Sequence, residues 1–149
     1  MKRPVEAWIL YIMLAFLSVN GLIGGGSMIL VTDGSFLGLN LEWLTHSPFH
    51  TFLVPGILLF FFMGVFPAVA LAGLISKNTR PFPGILNIYS GMVWGWTYAL
   101  YSGIVSVIWI VFQQLLTDYF ILQPLIAGLG ILIVIFCLLP RIQKYYRVL

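Results

Sequence analysis

The sequence predicts an all-α, membrane-spanning bundle of four helices, with an outer interfacial loop or short helix between the first two. Three observations lead there: a composition unsuited to a water-facing surface, four apolar runs of bilayer length, and charges sorted to alternate ends of those runs. Of the 149 residues, 61% are hydrophobic and 7% charged, whereas soluble domains carry about a quarter charged residues. Mean hydropathy is +1.07. The aromatic share of 16% suits a headgroup zone in which one end of a ring is apolar and the other wet.

The four runs are approximately residues 5–31, 48–76, 85–112 and 120–139. Each reaches the roughly 20 residues that cross about 30 Å of hydrocarbon. Met1, Lys2 and Arg3 ahead of the first run imitate a signal peptide, but the run is too long and no small-residue cleavage site follows, so it is read as a first helix. The chain is expected to form a single transmembrane domain over residues 1–149.

The connection over residues 32–47 opens with Asp33-Gly34-Ser35, whose turn chemistry reverses the chain. Leu37, Leu39, Leu41, Trp43 and Leu44 then make an apolar stretch too short to span, suited to lying in the interface. Ser47-Pro48 reads as an N-cap followed by proline in the first turn, so helix 2 is expected to start there. Pro55 and Pro67 predict kinks within it. Pro124 implies either that helix 4 begins near Ile121 or Gln123, or that 118–123 is partly irregular. Pro140 is expected to end the last helix.

Small residues recur at four-residue spacing: Gly21 and Gly25 in helix 1, Gly64, Ala68 and Ala72 in helix 2, and Gly91, Gly95, Ala99 and Gly103 in helix 3. Such stripes let backbones approach closely. Whether they meet within one chain or between copies is open at the level of sequence.

All seven basic residues (Lys2, Arg3, Lys77, Arg80, Arg141, Lys144 and Arg147) fall on one side of a four-pass arrangement, and Asp33, Glu42 and Asp118 on the other. Only Glu6 joins the bases. By the positive-inside rule both termini, the 77–84 loop and the 140–149 tail are expected in the cytoplasm. The bases form no patch, so no nucleic-acid partner is expected. With one cysteine, Cys137, there is no intrachain disulfide.

The polar groups of the outer side include Asp33, Glu42, His46, His50, Gln113, Gln114 and Gln123. His46 and His50 with nearby carboxylates are the weak candidates for a divalent metal, since imidazole and carboxylate suit zinc. Capping of helices and contact with water is the plainer reading of the same groups, and no cofactor is expected. Asn20 is expected in a structural role, bonding across the bundle or capping a break in helix 1. Within the spans there is no central ionisable side chain, which argues against a proton-coupled transporter or ion pump. Ser90, Trp94, Tyr98 and Tyr101 share a helical face that can either line a lipid or quinone cavity or pack between helices.

The strings Asp33-Gly34-Ser35-x-Leu37-Gly38, Ser47-Pro48-Phe49, Pro55-Gly56, Trp109-Ile110 and Gln123-Pro124 resemble a pattern in uncharacterised small four-helix integral membrane proteins of bacteria. The resemblance covers nearly the whole chain. It implies the architecture and a bacterial cytoplasmic membrane, and it brings no activity with it. DoxX-like and quinone-reductase-type bundles are similar in plan, but the CxxC redox motif of the latter is missing here.

The expected function is therefore non-enzymatic: binding of a lipid-like or small amphiphilic ligand, or of a partner protein, at the outer mouth. Asp33, Glu42, Trp94, Tyr98, Gln113, Gln114 and Gln123 are the expected ligand-binding residues. Membrane lipids are the expected partners, with a second copy of the chain or another membrane protein beside them. A transporter or channel subunit acting as an oligomer, and an outer-face metal-dependent membrane enzyme, are the alternatives.

Overall fold

The computed structural model describes residues 2–79 and 84–148; Arg80, counted above among the bases, lies outside them. The described chain is helical, with α1 over Val5–Leu30, α2 over Leu53–Ser76, α3 over Trp94–Leu116, α4 over Leu122–Leu138 and a short α5 over Pro140–Tyr146. Helices α1, α2 and α3 are each long and apolar enough to cross a membrane. The pair α4 and α5, bent by 66° at Leu139, supplies a broken fourth stretch of the same character. Large apolar side chains such as Phe16, Ile23, Phe61, Ile108 and Leu125 are exposed along these helices, and apolar surface of that extent belongs in lipid or against another protein.

Helix α2 starts at Leu53, five residues later than Ser47-Pro48 predicts. The Ser47 hydroxyl donates to the Leu44 carbonyl at 2.9 Å and accepts from the Phe49 N–H at 3.2 Å, so it closes a local turn. Pro55 consequently falls in the first turn of α2, where no backbone bond is lost. Ahead of Pro67 the helix widens into a π-turn over Phe60–Val65. Proline brings no N–H to that turn, and the Ser18 hydroxyl of α1 donates to the Gly64 carbonyl at 2.8 Å.

Helix α3 begins at Trp94, not Ile85, and runs on to Leu116. Residues 84–93 instead form a 3-10 turn at Gly84–Leu86 and an irregular stretch with a second turn closed by the Met92 N–H on the Tyr89 carbonyl at 2.9 Å. Asn87 explains part of this, because its amide donates to the Met92 carbonyl at 3.0 Å and accepts from the Thr97 hydroxyl. The rest comes from the C-terminus: Val93 N–H donates to the Tyr146 carbonyl and Val148 N–H to the Gly91 carbonyl, both at 2.9 Å, around a Met92–Arg147 antiparallel bridge. Pro140 opens α5 and does not simply end the chain's helical part. Helix α4 begins at Leu122 with Pro124 in its first turn, and residues 118–121 ahead of it are irregular, so both expected features occur together.

The small-residue stripes meet within the chain. A methyl group on Gly21 would overlap the backbone of Met63 and Gly64, and one on Gly25 would overlap that of Gly56 and Phe60, which joins α1 to α2. Gly95 lies against Gly73 of α2, whereas Gly103 lies against Gly130 of α4. The α3 stripe thus serves two partners on different sides. Gly91 precedes the helix with no atom close enough to meet an added methyl, and Ala72 is exposed, so neither belongs to a contact.

Helix order around the molecule is α1, α2, α3, α4. The basic residues described in the structure gather at one end, where Arg141 pairs with Glu6 at 3.0 Å and the Lys77 ammonium donates to the Tyr145 carbonyl at 3.1 Å. Asp33, Glu42 and Asp118 lie on the two connections at the other end, which stacking of Trp43 on Phe120 holds together with ring centroids 6.1 Å apart. We call these the basic end and the lid end.

Candidate functional site

The lid end encloses a cavity of about 460 Å³, within the 300–1,000 Å³ usual for small-molecule sites. One wall is a face of α1, on which Phe16, Asn20, Gly24 and Met28 follow at four-residue spacing. Leu122, Leu125 and Ile126 of α4 make the opposite wall. Leu59 and Met63 of α2 and Trp109, Ile110 and Gln113 of α3 form the back.

The glycine run in α1 acts through two faces of one helix. Gly21 and Gly25 bring α2 into backbone contact, while a methyl on Gly24 would meet only the Leu59 side chain, at 3.3 Å. Missing side chains on the second face leave volume that the neighbouring helices do not fill.

The lid consists of two 3-10 turns, Ser35–Leu37 and Leu41–Leu44, and contributes Leu37, Gly38, Leu39 and Trp43 to the cavity. Its geometry is local in origin. Asp33 accepts the Ser35 N–H at 2.9 Å, and that hydrogen bond holds its carboxyl below the usual aspartate range. Gly34 takes a φ of 77° and Gly38 one of 68°, in the left-handed region that glycine enters without strain. Asn40 caps the second turn by accepting from the Glu42 N–H at 3.0 Å, and its amide donates to the Glu42 carboxylate at 3.1 Å. Leu44 of the second turn and Phe52 are buried, and the Phe52 N–H donates to the Thr32 carbonyl at 2.8 Å.

Polar groups in the wall are few. Gln123 is fully buried, with Oε1 accepting from the Phe120 N–H at 3.4 Å and Nε2 donating to the Thr117 hydroxyl and the Asp118 carbonyl at 3.3 and 3.4 Å. Its hydrogen-bonding capacity is spent on the α3–α4 connection. Asn20 donates one N–H to the Phe16 carbonyl at 2.7 Å, which leaves its second N–H and its oxygen. Gln113, half-buried one turn after Trp109, is the side-chain amide of the back wall without such a commitment. The Trp109 ring nitrogen is sealed from solvent and without a hydrogen-bond partner, so the ring presents carbon to the cavity.

Among the residues expected to bind a ligand, Gln113 and Gln123 line the cavity. Asp33 and Glu42 are exposed and engaged in the lid's own turns, and Gln114 is exposed on the outer face of α3. Trp94 and Tyr98 lie far along α3, with Tyr98 about 16 Å before Trp109 at 1.5 Å per residue. There Tyr98 stacks on Phe66 at 5.2 Å and the Trp94 ring covers Gly73, so both belong to the packed core. Ser90 precedes α3 and is exposed. His46 and His50 are exposed, His46 facing the Thr45 hydroxyl at 3.4 Å, and no three His, Cys, Asp or Glu side chains converge on a metal-sized space among the described residues.

Trp109 and Trp43 belong to the helix-3 aromatics and the Leu37 to Leu44 segment that the sequence suggests as floor and lid of such a pocket, whereas Asn20 and Phe120 line it without having been expected to. The α1 face was legible in principle as a four-residue repeat interrupted by one amide, and Trp109 and Gln113 as neighbours at i and i+4. Comparison with family models, with curated proteins and with solved structures finds no match.

Proposed function

We propose that the chain is a non-enzymatic integral membrane protein that crosses the bacterial cytoplasmic membrane four times, with both ends in the cytoplasm, and binds a lipid-like or small amphiphilic ligand under its lid. The observation that carries the reading is the cavity itself. It is enclosed on the water side by a lid anchored through Trp43, Phe120 and Phe52, and it is open between α1 and α4, where Phe16, Ile23, Leu122 and Leu125 are exposed. A lateral opening with apolar jambs suits a ligand that arrives from the bilayer. At the basic end the same seam is closed by Glu6–Arg141 and by Tyr11 with Tyr146. Gathering of the basic residues at that end supports its cytoplasmic placement.

The test is mass spectrometry of molecules that co-purify with the protein in mild detergent, for the parent and for Gly24→Leu, which fills the cavity from a position where the backbone is not in contact. The parent is expected to retain a hydrophobic molecule in near-stoichiometric amount and the variant to lose it. A parent that retains nothing saturable, or a well-folded Gly24→Leu that retains the molecule at the parent level, overturns the reading.

A further inference from the structure

We infer that the ligand of this cavity is an uncharged amphiphile, an apolar chain bearing a hydroxyl or carbonyl head that the Gln113 amide recognises. The inference rests on the cavity being a ligand site and narrows its chemistry. Among the described residues no Asp, Glu, Lys, Arg or His lines the cavity. A charged head placed there leaves water without a counter-charge, which costs far more than burying a neutral group that finds a hydrogen bond. The basic residues described in the structure lie at the opposite end, and the nearest charged groups, Asp33, Glu42 and Asp118, repel an anion. Those three carboxylates are exposed on the outside of the connections, with Asp33 and Glu42 hydrogen-bonded in the lid's own turns, so they offer a buried cation no contact.

The wall's remaining polar capacity is neutral and small. Gln123 is occupied, and Asn20 has one N–H engaged by the Phe16 carbonyl on its own helix. Gln113 can both donate and accept, which matches a hydroxyl on both counts and a carbonyl through its NH₂. The remaining lining residues are apolar or glycine and suit the chain.

Three photoreactive probes sharing one diazirine alkyl chain test this on the reconstituted protein: an alcohol, a sulfonate and a quaternary ammonium. Cross-linked peptides are mapped by mass spectrometry, and saturable labelling is defined by competition with the unreactive alcohol. The alcohol is expected to label the peptides carrying Phe16 to Met28 and Leu122 to Ile126 at least about tenfold more than either charged probe, equivalent to about 1.4 kcal/mol. Gln113→Leu is expected to reduce that labelling several-fold, while Gln114→Leu, on the exposed face of the same turn, leaves it unchanged. Equal labelling by the sulfonate or the ammonium overturns the neutral-head inference and leaves the cavity as a ligand site. Parent-level labelling of Gln113→Leu overturns the role of Gln113. Absence of saturable labelling by all three probes overturns the ligand site itself.

Discussion

Tyr11 and Tyr146, 135 positions apart in the chain, share a buried hydrogen bond of 2.6 Å between their hydroxyls. Tyr11 donates onward to the Leu74 carbonyl at 3.4 Å, so Tyr146 is the donor of the pair and the three groups form one chain. This chain ties α5 to α1 and to the end of α2. Tyr146→Phe removes a donor and leaves Tyr11 engaged with Leu74, at a cost of about 0.5–1.5 kcal/mol. Tyr11→Phe strands both the Tyr146 hydroxyl and the Leu74 carbonyl, at a cost of about 1–3 kcal/mol. Thermal unfolding in detergent is expected to rank Tyr11→Phe as the more damaging, and the reverse order would contradict the donor assignment.

Glycine substitutions separate contact from mere spacing. Gly95→Ala places a methyl into the backbone of Gly73 and Leu74 and is expected to cost about 1–3 kcal/mol by forcing α2 and α3 apart. Gly91→Ala, from the same sequence stripe but with nothing within 4 Å, is expected to leave stability unchanged. Equal losses in melting temperature for the two variants would show that the α2–α3 crossing is not where the structure has it.

Lid anchoring is checked by hydrogen exchange. Trp43→Ala removes the stack on Phe120, a contact of about 0.5–1.5 kcal/mol beyond its area. Amides of residues 35–44 are expected to exchange several-fold faster, while those of α3 remain as in the parent. A uniform change across the protein would mean that the lid is not an independent unit.

The Asx turn at Asp33 gives the lid a pH dependence. Its carboxyl is held below the ordinary aspartate range by the Ser35 N–H. The stabilisation is therefore fully present above the ordinary aspartate value of about 3.9 and is lost as pH falls through the lower folded value. Protection factors of the amides of residues 33–39, taken relative to the intrinsic exchange rate at each pH, are expected to fall as the pH is taken below about 4. Asp33→Asn, whose amide oxygen keeps the turn without titrating, is expected to remove the pH dependence, and its persistence in that variant would assign it elsewhere.

Sidedness is tested by labelling in intact cells. Cys137 is fully buried and is replaced by serine, after which single cysteines at Ser35 and Lys77 are introduced. Only the first is expected to react with an impermeant maleimide from outside. Reaction of both from the same side would remove the four-pass proposal.

The sequence by itself determined the helical class, the approximate apolar runs, the sorting of charge and the turn chemistry at Asp33 to Gly38. Those are set by composition, by hydrophobic run length and by contacts within a few residues. Tertiary structure decided the rest. Ser47 was a cap by pattern and became a turn, its hydroxyl bonding back to the Leu44 carbonyl and accepting the Phe49 N–H while the chain stays non-helical through Phe52. Residues 85–93 were apolar enough for a helix, but Asn87 and the returning C-terminal segment at 147–148 bond to backbone groups there in turns and a single bridge. Which of Gln113, Gln114 and Gln123 faces the cavity followed from helix rotation, and rotation is fixed where Gly21, Gly95 and Gly103 touch helices distant in sequence, while Asp33 and Glu42 are turned away by the lid's own hydrogen bonds. A four-residue repeat states that a close contact exists, and only the packed helices state against what.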